Sequence, residues 1–182
     1  MSATMKPAST PKQLVTDTLK LLEDHQITTA VALVGIRGYY KKSMGKPAVN
    51  DRGIYDDAIF LVAPGCYMAF NANTDPSYYK PGIATLTAGV WQYKIGIHNL
   101  SKPKHRQYKA LVQAAKVTVS RDGGKVESGY FGLNIHKGSR NSTSSQGCQT
   151  IWPEQWEAFI ASVEMQLKKN QQKVVPYLLG EG

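Results

Sequence analysis

Cysteine is scarce in this chain: Cys66 and Cys148 are the only two among 182 residues. Two cysteines cannot build the disulfide framework of a small secreted domain, and they do not supply the Cys/His pairs of a structural zinc site. Long apolar runs are missing too. No stretch approaches the roughly 20 apolar residues of a membrane helix, and residues 1–13 lack the apolar region of a secretory signal. Acidic residues are few, 13 against 22 Lys and Arg, which leaves a net charge of +9. Such a surface attracts polyanions in general: nucleic acid, anionic lipid, or the acidic polymers of a bacterial envelope. The densest basic stretch, residues 102–106 (Lys-Pro-Lys-His-Arg), is short and carries no nucleic-acid motif, so it reads as a solvated loop. Neither nucleic acid nor a membrane is expected as a partner.

What is present suits one globular domain with a real core. Thr10-Pro11 offers an N-cap followed by proline at the first helical position, and Leu14, Val15, Thr18, Leu21 and Leu22 recur at helical spacing; the pattern predicts a helix to about His25. Residues 29–36 form an apolar β-branched run and read as a buried strand, followed by a polar loop over 39–57. Pro64-Gly65 sits between strand-like residues 58–63 and 67–71, and Arg121-Asp-Gly-Gly124 between 116–120 and 125–130, so each pair reads as a hairpin. Further strands are expected at 83–86, 90–97 and 133–136. A loop rich in Gly, Ser and Asn spans 137–147. After it, Trp156, Phe159, Ile160, Val163 and Leu167 make one helical stripe from Pro153 onward, and residues 173–179 read as a final strand. The expected class is α+β: a β-rich single domain with a helix near each end. Residues 1–50 supply a helix, strand and loop packed on a main domain of residues 51–182.

Chemistry concentrates in Gly132-Leu-Asn-Ile-His-Lys-Gly138 and Ser145-Gln-Gly-Cys-Gln-Thr150. A short strand delivers His136 to the polar loop, and a small-residue turn delivers Cys148 after it. A thiol must lose its proton to attack, and a nearby imidazole can take that proton. Gly147 allows close backbone approach, amides around Cys148 can face a developing oxyanion, and Ser145 can hydrogen-bond within the turn. A histidine near its reference pKa of about 6.5 would favour the thiolate and bring the thiol below its own reference of about 8.5.

The order His-x-Gly, polar loop, Ser-x-Gly-Cys resembles the catalytic signature of the L,D-transpeptidase family, most closely over residues 130–152 and more loosely over 55–180. The resemblance implies that family's fold, with a helix and terminal strand after the cysteine. It makes Cys148 the nucleophile, His136 the base, and Gly147 with Cys148 the oxyanion donors. Ser145 and Gly138 would support the site, and the Lys137 carbonyl would orient the histidine. Two features depart from the family pattern: the short interval between His136 and Cys148, and Thr150 two places after the cysteine, where Arg or Asn is usual. Arg140 or Lys137 would then grip a substrate carboxylate, with Thr150 and Trp152 beside it. The implied activity is peptidoglycan stem-peptide hydrolysis or transpeptidation through a thioester, for cell-wall lysis, by a monomer without metal or cofactor. Lacking a signal, the chain would be made in the cytoplasm and reach the wall after release or by dedicated export.

Two other readings compete. A muramidase would use carboxylates, with Asp56, Asp57 and Glu127 as candidates, although adjacent acids in a loop are usually just solvated. A non-catalytic binder of wall polymer would leave Cys148 idle. Cys66, flanked by Tyr67 and Met68 in a strand, reads as packed. His98 and His105 read as solvent-facing near the basic loop, and His25 as a helix-end residue. Trp91, Trp152 and Trp156 could border a groove, though Trp156 fits the helical stripe better.

Overall fold

The computed structural model describes residues 5–182. Residues 1–4, the start of the segment read as lacking a signal, lie outside the described residues. Two helices and eleven strands follow in chain order: α1 (Val15–Asp24), β1 (Ala32–Arg37), β2 (Asp57–Ala63), β3 (Cys66–Asn73), β4 (Ala84–Leu86), β5 (Gly89–His98), β6 (Tyr108–Gln113), β7 (Val117–Arg121), β8 (Val126–Gly129), β9 (Ile135–Lys137), β10 (Gln149–Ile151), α2 (Trp156–Lys169) and β11 (Val175–Glu181). Eight strands close into a barrel in the order β1-β11-β5-β6-β9-β10-β3-β2, while β4, β7 and β8 form a separate antiparallel sheet. Within the barrel, β1–β11 and β9–β10 are parallel pairs. The β-rich α+β class is therefore seen. Residues 1–50 contribute directly to the barrel, because β1 lies between β2 and β11.

Alternation along the strands sorts side chains into two clusters. Leu33, Ile59 and Leu61 join the stripe of α2 (Trp156, Phe159, Ile160, Val163, Leu167) in the main core. Their neighbours Ala32, Val34, Ala58, Phe60 and Val62 form a second cluster with Leu22 of α1. A period of two in the strands meets a period of 3.6 in the helices, and each fully buried large residue contributes roughly 1.5–3 kcal/mol.

Three expectations change. The first helix begins at Val15 after Leu14, without a side-chain cap, so Thr10-Pro11 does not open it. Tertiary bonds hold the preceding residues instead: the Lys12 amide donates to the Tyr39 hydroxyl at 3.0 Å, and Tyr67 donates to the Gln13 carbonyl at 3.3 Å. Strands β6 and β10 were not expected, and both flank the candidate site. Finally, Asp56 and Asp57 are fully buried and not solvated.

Candidate active site

The parallel ladder between β9 and β10 positions Cys148 and His136. Gln149 pairs with Ile135 and Thr150 with His136. Cys148 precedes the ladder beside Asn134, since the Gln149 amide donates to the Asn134 carbonyl at 2.9 Å. The Asn134 amide in turn points at Cys148 Sγ, 3.4 Å away, and the thiol faces the Gly132 carbonyl at 3.6 Å. Asn134 and His136, two apart along an extended chain, project to the same face. Cys148, level with Asn134, and His136, level with Thr150, thus stand two residues apart along neighbouring strands, and no hydrogen bond joins the sulfur to the imidazole among the described residues.

The turn before the cysteine is built from its small residues. Ser145 Oγ donates to the Cys148 carbonyl at 2.7 Å and accepts from the Gly147 amide at 3.0 Å. The Ser145 amide is itself held by Ser77 Oγ at 2.8 Å. Gly147 has φ +125°, and a Cβ there would run into the Ala84 carbonyl oxygen and approach Leu133 Cδ2 to 2.8 Å. Only glycine fits. One expected role changes as a result. The Gly147 amide is committed to Ser145 and is not free for an oxyanion, whereas the Cys148 amide has no hydrogen-bond partner among the described residues.

His136 is buried, and its Nδ1 lies 2.8 Å from the Lys137 carbonyl, the orienting contact expected of that residue. A carbonyl only accepts, so Nδ1 carries the proton and Nε2 keeps its lone pair. The Tyr108 hydroxyl sits 3.1 Å from the same Nδ1. His98 stacks on His136 with ring centroids 4.0 Å apart at 21°. Its Nδ1 is 3.0 Å from Asn134 Nδ2. His98 is therefore part of the site and not solvent-facing.

The electrostatics oppose an ion pair. Burial, with His98 alongside, holds the His136 imidazole down at about 4. Burial pushes the Cys148 thiol up to about 11, against the Asn134 amide that favours its charged form. The expected thiolate is thus replaced by a neutral thiol next to a neutral base. Such a pair can act by moving the proton during attack.

The remaining expected residues divide. Gly138 passes against Tyr55, whose hydroxyl occupies the space a Cβ would take, and its amide donates to the Ile151 carbonyl at 2.9 Å. Arg140 is exposed and paired with Glu154 at 2.8 Å. Lys137 contributes its carbonyl to His136, and the residue also lines a cleft of about 450 Å³ with Tyr108, Trp156 and Glu164. Thr150 is fully buried in the ladder and cannot grip a substrate; Trp152 is nearly so, packed edge-on against Tyr55 with centroids 5.1 Å apart. Trp156 is core, as its spacing predicted.

The muramidase candidates do not share a site. Asp57, on β2, accepts from the Gly38 and Thr74 amides, both at 2.5 Å, while Glu127 sits on β8 in the other sheet, paired with Arg121 and Lys125. His105 is exposed on the loop after β5, and His25 Nδ1 bonds the Leu21 carbonyl at 2.8 Å. Among the described residues no group of three His, Cys, Asp or Glu is arranged to hold a metal, and no helix is long and apolar enough to cross a membrane.

A groove of about 700 Å³ is lined by Ile97, His98, Leu100, Val112, Gly132 and Asn134; the last two contact the sulfur, while Cys148 and His136 do not themselves line it. Another cavity, of about 900 Å³, lies between α1 and the β2–β3 turn and is lined in part by Cys66. Sequence reading missed Asn134, Tyr108 and His98. Asn134 had a usable signal: it stands two residues before His136 on the same strand. No protein-family model, curated protein or solved structure matches this chain.

Proposed function

We propose that the chain is a cysteine enzyme of peptidoglycan stem peptides, with the fold and chemistry of the L,D-transpeptidase family. One observation carries the reading: Cys148, level with Asn134, and a neutral His136, its Nδ1 tied to the Lys137 carbonyl, stand two residues apart along the neighbouring strands β10 and β9, and Asn134 borders an open groove. The chain order after the cysteine, with α2 and then the terminal strand β11, supports it as well.

In this account the substrate peptide lies in the groove with its carbonyl carbon against Sγ. As sulfur attacks, its proton passes to His136 Nε2, and the carbonyl oxygen becomes an oxyanion near the Cys148 amide. The C–N bond then breaks, His136 returns the proton to the leaving amine, and a thioester remains on Cys148. Water resolves it to a carboxylate, or a second amine resolves it to a cross-link. The neutral starting pair fits this sequence, because the proton moves only when an acyl group is in place. A chain of charge +9 suits an anionic wall, reached by release or dedicated export.

The test is mass spectrometry of purified wall fragments incubated with wild type and with Cys148→Ala. Wild type should release stem-peptide residues and the variant should release none while keeping its fold. Near wild-type turnover by the variant overturns the cysteine mechanism. Loss of glycan linkages instead would favour the muramidase reading.

A further inference from the structure

His98 closes β5, where it pairs with Tyr108 at the start of β6, and its ring lies flat on His136. The same ring reaches the Asn134 side chain through Nδ1 at 3.0 Å, and Asn134 is the residue whose main-chain amide faces the sulfur. One imidazole therefore touches both halves of the candidate pair: the base directly, and the nucleophile through one intermediary.

We propose that His98 is a positioning residue: its ring fixes the plane of the His136 imidazole, and through the Asn134 side chain it fixes the amide aimed at Cys148 Sγ. The inference rests on the reading of Cys148 and His136 as the reacting pair. An amide nitrogen donates, so His98 Nδ1 accepts from Asn134 and its proton sits on Nε2. The groove is lined by His98 together with Asn134, so this ring borders the space proposed for substrate.

The stack also carries a charge rule. Two imidazoles 4.0 Å apart resist sharing two protons. Burial holds His98 below its ordinary value, so at neutral pH it is uncharged and leaves His136 free to accept the proton from sulfur. The titratable groups packed against this ring are His136 and Tyr108 on β6; Tyr108 is pushed up to about 12 by burial and stays neutral.

Three variants separate the two contacts. His98→Phe keeps an aromatic face on His136 but cannot bond Asn134. His98→Asn keeps an acceptor near the place of Nδ1 but loses the ring, and His98→Ala loses both. With a soluble stem peptide, His98→Ala should lower kcat by about 100-fold with little change in KM, the size expected when a reacting group is misplaced by about 1 Å. His98→Phe and His98→Asn should each recover part of that loss. A substrate-free readout runs alongside: in the NMR titration of the histidine ring protons, the His136 pKa should rise in all three variants, because the charge that His98 carries in the acid range where His136 titrates is gone. A folded His98→Ala with wild-type kcat, or a His136 titration unmoved by every substitution, overturns the proposal. If His98→Ala does not fold, the Phe and Asn variants decide. If wild type itself shows no turnover, the stem-peptide reading fails, and the titration still decides whether His98 controls His136.

Discussion

Replacing Gly147 by alanine should be among the most damaging one-carbon changes in the molecule. The residue holds φ +125°, and its new Cβ would collide with the Ala84 carbonyl oxygen and come to 2.8 Å from Leu133 Cδ2. Strain at a positive φ costs on the order of 1–3 kcal/mol, and overpacking a filled site adds a similar amount. The total, about 2–6 kcal/mol, corresponds to a fall in Tm of about 5–20 °C for a chain of this size. The backbone cannot relieve the clash by moving β4, because Leu86 and Ala84 are both buried there. Relief must come from the turn itself, which displaces Cys148 and should reduce turnover by about 100-fold or more. Gly65→Ala is the internal control: φ is +69°, but no atom lies within 4 Å of the added carbon. It should cost only the conformational part, about 1 kcal/mol, and leave turnover alone. Thermal unfolding of both variants, followed by circular dichroism, checks the difference. Equal losses in the two, or a Gly147→Ala as stable as wild type, would refute the steric argument.

Other outcomes follow from the same contacts. Alkylation of Cys148 by a small neutral reagent should be slow at pH 7 and climb with pH toward an inflection near 11, because burial disfavours the thiolate; an inflection below the reference of about 8.5 would restore the ion-pair picture. Asp75 is buried near Asp57 and pushed up to about 8, far above its unfolded value of about 3.9. A raised folded pKa gives stability that is complete below about pH 4 and lost as pH rises through about 8. Asp75→Asn should therefore flatten the fall in denaturation midpoint between pH 5 and pH 9 (chosen to bracket the folded value), and an unchanged slope would contradict the assignment. Raising ionic strength should depress activity on intact wall far more than on a small soluble stem peptide, since surface charge acts in recruitment; equal sensitivity would place the charge effect in the site.

Much of the scaffold was legible because local chemistry and tertiary fate agree. Pro64-Gly65 and Arg121-Asp-Gly-Gly124 announced β2–β3 and β7–β8, and the α2 stripe announced the residues that fill the main core. The misses share one cause. β10 is three residues long and exists only because β9 and β3 flank it, so nothing local marks it. β6 was hidden by the basic loop before it. Without β6 there was no Tyr108 to pair with His98, and so no reason to draw His98 inward. The acids failed for a similar reason: a polar segment looked solvated until folding closed it over Asp56 and Asp57. The proposed nucleophile and base were picked out from residue types in order. Their neutral charge state was not, because desolvation is a property of the assembled site.

The central claim is that sulfur 148 carries the acyl group, and trapping it tests this most directly. Wild-type protein mixed with a stem-peptide substrate, quenched in acid within the first turnover, should show by mass spectrometry an added acyl mass that maps to the segment containing Cys148. His136→Ala should accumulate little of it, and Cys66→Ala should accumulate as much as wild type. Product formation with no adduct on Cys148, or an adduct that maps to Cys66, would contradict the account.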